Sequence, residues 1–340
     1  MMKSGLFVMG LLLVGVNATA HAEGLFSNFQ HKSEPTSDAA ELVTLEAKGN
    51  EMFPKVSPDG KYLLALVTEG NEAWISRRSI ENGDHLNTVT NDIAALGSFA
   101  WFGDQVTFSS SRTGHLSLWK KPASGEGLMR REMQLTGELQ DMTLLQDGSL
   151  IATRLLRGYK QRHGLSSDHF KNWDVGGLHS AIVRIFPDGS EKRLSDGVSP
   201  AVSADGTQVV FSIKIGKSVH LFMMNIDGTS LTQLTDTRSV DVQPVWSHDG
   251  KWIVFTSNRR DVDAKPDRKD HWNIWAISSE GTHLRQLTQN KGRDGSPSVA
   301  EDGSVYFHSD RRVDKLSVEA HQIRSAPRGF HIWKIQLPEE

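Results

Sequence analysis

Six times along the chain, a short apolar strand runs into a tight turn and returns as a strand that alternates apolar with polar residues. The clearest copy is VWSHDGKWIVFTSNRR at 245–260. Its relatives are FPKVSPDGKYLLALVT (53–68), FAWFGDQVTFSSSR (99–112), LLQDGSLIATR (144–154), SPAVSADGTQVVFSI (199–213) and SPSVAEDGSVYFHSDRR (296–312). The turn is usually Asp-Gly, because glycine tolerates positive φ and aspartate hydrogen-bonds its own turn backbone. After each copy comes a strand centred on Trp74, Trp119, Ile182, Phe222, Trp275 or Trp333. A glycine-containing turn and a leucine-threonine strand follow: QLT at 134, 233 and 286, and RLS at 193. Each unit is therefore four antiparallel strands, A to D.

A lone four-stranded sheet cannot bury both of its faces. Six of them set radially around an axis bury one face against the next, so the expected fold is all-β, a six-bladed β-propeller of four-stranded antiparallel blades over residues 41–340. The last blade runs out of chain after Trp333, whereas ELVTLEAKG at 41–49 precedes blade one without a blade of its own. Leu45 lies as far before Ala65 as Leu287 lies before Phe307, so this N-terminal strand is expected to complete blade six.

Residues 1–22 read as a signal peptide: Lys3, an apolar run from Leu6 to Val16, and Ala20-His21-Ala22 with small residues where a signal peptidase reads. The apolar run is short of the roughly 20 residues a membrane-spanning helix needs. Export to the periplasm is expected, with cleavage near Ala22 and a polar linker over 23–40. The absence of cysteine leaves no disulfide, thiolate ligand or cysteine nucleophile. With 38 basic and 41 acidic side chains in the whole sequence, neither nucleic-acid binding nor membrane attraction is expected. The protein is expected to be a monomer without a membrane span.

The blades differ mainly in one connection. From each C-strand centre to the next B-strand centre the spacing is 29 to 34 residues, but from B to C within a blade it ranges from 9 to 30. The long B–C connections belong to blades three (154–179), five (258–272) and six (309–331), and B–C and D–A connections leave one end of an up-and-down disc. Long unpatterned loops usually carry binding. These three hold 15 basic and 9 acidic residues. The D–A connections beside them carry Glu51, Glu138, Asp141, Asp241 and Asp294 among others, giving a basic rim around an acidic mouth. Partner-binding candidates on this face are Arg112, Arg154, Trp173, Asp241, Arg259, Trp272, Asp294, His308, Arg311 and His331. For Arg112, Arg259 and Arg311 the recurrence in S-x-R or D-R contexts also fits a role in closing the B–C turn. Trp119, Trp275 and Trp333 recur at one blade position, which marks packing between blades, whereas Trp173 and Trp272 fall outside that pattern.

No catalytic constellation emerges. There is no G-x-S-x-G, no phosphate loop and no H-E-x-x-H, and the Asp-Gly turns lack the further acidic residues of calcium loops. His163, His169, His179, His271, His308, His321 and His331 cluster around the long loops without zinc-ligand spacing. The expectation is no metal, no cofactor and no enzymatic activity.

The repeat, with P-x-W-S-x-D-G-K at 244–251, FTSNR at 255–259 and NIW at 273–275, resembles that of the TolB-type six-bladed propellers of Gram-negative periplasms. The resemblance covers about 42–337 and implies a periplasmic, envelope-associated protein that binds a protein or peptide partner. Residues 23–40 are too few for the N-terminal α/β domain that TolB carries. Similar propellers in oligogalacturonate lyases imply a metal-assisted lyase or glycan hydrolase as the alternative, and oligosaccharide binding through Trp173 and Trp272 as another. Asn172-Trp173-Asp174 with Gly177, His179 and Ser180 resembles a blade of the dipeptidyl-peptidase and acylaminoacyl-peptidase group, whose hydrolase domain has no counterpart here.

Overall fold

The computed structural model describes residues 39–45, 49–91, 98–156, 180–259, 271–313 and 328–338. The expected leader and all but the last two residues of the expected linker lie outside them, as do most residues of the three long B–C loops.

Strand β1 is Glu41–Leu42. Blade one follows with β2 Asn50–Val56, β3 Tyr62–Glu69, β4 Glu72–Ser79 and β5 His85–Thr90, and blade two with β6 Phe99–Phe102, β7 Gln105–Ser110, β8 Ser117–Pro122 and β9 Arg130–Gln134. Blade three is β10 Glu138–Leu144, β11 Leu150–Leu155, β12 Ser180–Ile185 and β13 Glu191–Asp196, and blade four β14 Val198–Val202, β15 Gln208–Ile215, β16 Ser218–Asn225 and β17 Thr232–Gln233. Blade five is β18 Asp241–Trp246, β19 Trp252–Ser257, β20 Asn273–Ser278 and β21 Arg285–Gln286. Blade six supplies β22 Asp294–Val299, β23 Ser304–Ser309 and β24 His331–Gln336, and its fourth strand is β1, paired through Glu41 with Lys334 and Leu42 with Trp333. The A strands β2, β6, β10, β14, β18 and β22 touch in that order, and β22 touches β2 again, so the ring closes. No helix of the described residues is long and apolar enough to cross a membrane.

The core lies between blades. Phe255 and Trp275 of blade five pack against Val210 and Leu221 of blade four, while Val254 and Ile274 on the other face pack against Phe307 and Trp333 of blade six. Alternation places successive side chains on opposite faces, so every central strand serves two interfaces. Each of the fully buried B-strand phenylalanines Phe108, Phe211, Phe255 and Phe307 contributes about 1.5–3 kcal/mol.

The B and C centres pair across the sheet in four blades: Phe108 with Trp119, Phe211 with Phe222, Phe255 with Trp275 and Phe307 with Trp333. Two pairings differ from the sequence alignment. Ala65 faces Ser76 rather than Trp74, because the tight turn after Glu69 sets the register from Glu69 opposite Glu72. Ala152 faces Val183, one residue beyond Ile182, which puts Ile182 on the opposite face.

The A strands carry a feature the repeats did not announce. In five of them a β-bulge interrupts pairing, and a residue in the left-handed region sits at it: Phe53, Asp141, Ser199, Gln243 and Ser296, with φ of 50 to 54°. Side chains of the preceding blade satisfy the amides freed there. Ser199 N–H donates to Thr153 Oγ1 at 3.1 Å, Ser296 N–H to Gln243 Oε1 at 2.8 Å, and Phe53 N–H to His308 Nδ1 at 3.1 Å. Strand β6 pairs without a bulge.

Candidate functional site

Four of the proposed rim residues form two repeated clamps. In blade five Arg259 Nη2 donates to Asp241 Oδ2 at 2.6 Å, Ser257 Oγ donates to Asp241 Oδ1 at 2.6 Å, and Arg259 N–H donates to Ser257 Oγ at 3.0 Å. Blade six repeats this with Arg311, Asp294 and Ser309, at 2.7, 2.5 and 3.1 Å. Both carboxylates are fully buried and both guanidinium groups nearly so. Each guanidinium lies over the B-strand phenylalanine and the C-strand tryptophan of its blade, about 5 Å from the ring centres. The S-x-R pattern thus ties the end of strand B to the start of strand A, and the acidic mouth is at these positions neutralised and closed.

The seam between blades six and one holds the two described histidine candidates. Buried Glu51 meets Arg78 Nη2 at 3.0 Å and His331 Nδ1 at 3.2 Å. His308 accepts at Nδ1 from the backbone N–H of Phe53 at 3.1 Å, with Phe53 and Phe330 edge-on at 5.3 and 5.2 Å. Trp272 is also buried, packed with Phe330 and Met52, and its carbonyl accepts from Asp294 N–H at 2.9 Å. Arg154 lies on β11, ion-paired with Glu191. Arg112 is exposed, with its guanidinium 5.6 Å from the Trp119 ring centre. Trp173 and His163, His169, His179 and His321 lie outside the described residues. Among the described residues no three His, Asp or Glu side chains are grouped to hold a metal ion.

The open space lies on the axis. A cavity of about 700 Å³ is lined by all six A strands from the bulges to the A–B turns, where Pro58, Gly103, Gln146, Ala204, His248 and Glu301 stand. It therefore reaches the end of the disc opposite the B–C loops. Trp101 and Trp246 form part of its wall, each fixed by an indole N–H donated to the neighbouring A strand, at Lys55 O (2.8 Å) and Ala201 O (3.1 Å). Two ionisable side chains sit deep in it. Lys55 comes from blade one and Asp141 from blade three, and both keep surface facing the cavity while the rest of each is enclosed by protein. Burial pushes the Lys55 ammonium below its usual range, opposed by the charge of Asp141. Burial raises the Asp141 carboxyl above its usual range, opposed by Lys55 and by hydrogen bonds from Thr153 and Ser199. The two hydroxyl contacts, from Thr153 Oγ1 and Ser199 Oγ, are long at 3.4 Å each.

Sequence reasoning placed Asp141 on the rim and passed over Lys55. A usable signal was present: the left-handed residue precedes proline in four blades, at Pro54, Pro200, Pro244 and Pro297, and two residues beyond it the repeat carries Thr143, Ala201, Val245 or Ser298 where blade one has lysine.

The TolB beta propeller domain family, PD40, matches residues 192–264. The Agrobacterium fabrum protein Atu1656 is 26% identical over 278 residues, 76% of this chain and 84% of that one. The Tol-Pal system protein TolB of Syntrophus aciditrophicus is 27% identical over 204 residues, 55% of this chain and 42% of TolB, so the chain spans under half of that relative. Among solved structures, the oligogalacturonate lyase of Vibrio parahaemolyticus superposes with a TM-score of 0.51 at 11% identity, over 90% of this chain and 96% of the lyase, a likeness of fold. By its six closed blades the chain is a six-bladed β-propeller, and its segment 192–264 is similar to the TolB beta propeller domain.

Proposed function

We propose that the protein is exported to the periplasm and acts there as a non-catalytic binding module, taking a peptide segment of a protein partner into the axial cavity. The observation that carries this is the cavity itself. Its volume, about 700 Å³, falls within the range of ligand sites, and its wall joins aromatic rings to a few polar groups. The likeness to TolB, a Tol-Pal system protein, supports a protein partner, and the reading of residues 1–22 supports export. Asp241, Arg259, Asp294 and Arg311 of the opposite rim are buried in ion pairs within their own blades, which moves the expected contact from the B–C loops to the A–B end.

Equilibrium dialysis of the full mature chain against pooled random hexapeptides, and separately against pectic and cell-wall oligosaccharides, tests this. Ala204 is exposed at the cavity mouth, so Ala204→Trp obstructs entry without touching the core. Peptide binding is expected, weakened at least tenfold by Ala204→Trp. Binding of oligosaccharide alone, or its cleavage, would replace this reading with the carbohydrate one.

A further inference from the structure

Resting on that reading, we infer that the axial cavity holds the carboxyl end of a peptide, with its terminal carboxylate on Lys55 and a hydrogen-bond donor of the same segment on Asp141.

Three features of the cavity point there. The Lys55 ammonium makes no hydrogen bond or ion pair among the described residues, and Asp141, which lines the same space, acts on it only through its charge, without a salt bridge. A cation enclosed without a partner is destabilising, and the equivalent repeat positions hold Thr143, Ala201, Val245 and Ser298, so the blade architecture does not call for a lysine there. An anion entering the cavity supplies the missing partner, and a carboxylate in a low-dielectric enclosure gains more from it than a neutral amide oxygen does.

Asp141, the one carboxylate at the bulge position, has complementary needs. Its Oδ2 receives 3.4 Å contacts from the Thr153 and Ser199 hydroxyls, and the Ser199 backbone N–H also favours its charged form, which leaves acceptor capacity at Oδ1 for an amide N–H or a basic side chain. Gln243 adds a neutral donor. Its Oε1 is taken by Ser296 N–H and Thr256 Oγ1, which fixes the amide orientation and leaves the NH₂ group without a partner among the described residues. The site thus offers donors on one side and an acceptor on another, with aromatic walls between them. That arrangement suits the end of a peptide chain, where a full negative charge lies within one residue of an N–H.

The test is equilibrium dialysis of the full mature chain against three pools of random hexapeptides: free carboxyl ends, carboxamide ends, and N-acetylated amino ends with free carboxyl ends. Galacturonate trimer serves as a carboxylate from another source. Free and N-acetylated pools are expected to bind alike, and the carboxamide pool at least tenfold more weakly. In Lys55→Met the free and carboxamide pools are expected to bind equally, with a melting temperature at or above that of the wild type, since the substitution removes an enclosed charge. Asp141→Asn, which keeps a residue tolerant of positive φ, is expected to weaken the free pool several-fold while preserving its advantage over the carboxamide. Equal binding of free and carboxamide pools by the wild type overturns this inference and leaves the proposed function standing. So does discrimination retained in Lys55→Met. Galacturonate binding in place of peptide, or no peptide binding at all, overturns both.

Discussion

Asp241 has no exposed surface, and both of its oxygens are occupied: Oδ1 by Ser239 and Ser257, Oδ2 by Arg259. Removing one member of such a group strands the other charge inside the protein, which typically costs about 3–5 kcal/mol, whereas replacing both by apolar groups of similar volume can be near neutral. Asp241→Ala is therefore expected to lower the denaturation midpoint sharply, and Arg259→Met introduced into that variant to restore most of the loss. Urea titration of the four proteins of the cycle measures this; additive losses would remove the clamp as an explanation. The letters of this clamp stand plainly in the sequence as S-x-R. A structural role was legible there from its recurrence, as closure of the B–C turn, but the buried carboxylate partner was not, because an arginine just past a strand looks the same whether it caps turn carbonyls or folds back over Phe255 and Trp275.

Strand β1 is two residues long, yet the stretch around it carries much of the closure. Val43 N–H donates to Ile332 O at 2.8 Å, Ile332 N–H donates to Thr44 Oγ1 at 3.2 Å, Val43 is buried against Leu63 and Tyr306, and Leu42 and Leu45 pack beside Trp333. A chain beginning at Gly49 is expected to lose roughly 3 kcal/mol or more through that lost burial and to associate through the uncovered edge of β24. Thermal melting and light scattering check both. Repeat count, strand order and the closing segment were legible because they depend on apolar alternation and turn residues, which local sequence reports. The bulges left only a faint mark, the proline after the left-handed residue in four blades, and the lining of the cavity went unread with them: one inserted residue shifts every later side chain to the other face, and in blade three Asp141-Met142 lacks even that proline. Register in blade one failed for a related reason, since Trp74 attracted an alignment that the Glu69–Glu72 turn overrides.

At the scale of the disc, the two ends have different chemistry. At the A–B and C–D end, Asp59, Asp147, Asp188, Asp205 and Asp227 each accept from a Ser or Thr hydroxyl in their own turn, which holds their carboxyl groups below the usual value of 3.8. A carboxyl depressed in the fold contributes stability that is complete above its unfolded value and is lost as pH falls through its folded one. The triple variant Asp188→Asn, Asp205→Asn, Asp227→Asn is expected to melt below the wild type at pH 6, with the gap narrowing below pH 3.8 and closing once all are protonated. Circular dichroism melts across that range measure it, and a gap independent of pH would contradict the assignment.

In the sheet of blade six, Gln336 at the end of β24 and Glu41 at the start of β1 lie on the side where every other blade makes its C–D hairpin. A bridge of hairpin length would join them, and the chain could then be opened at any other blade's outer turn instead. New ends would shift the composite sheet to a different sector, while the axle around which all six are mounted would stay as it is.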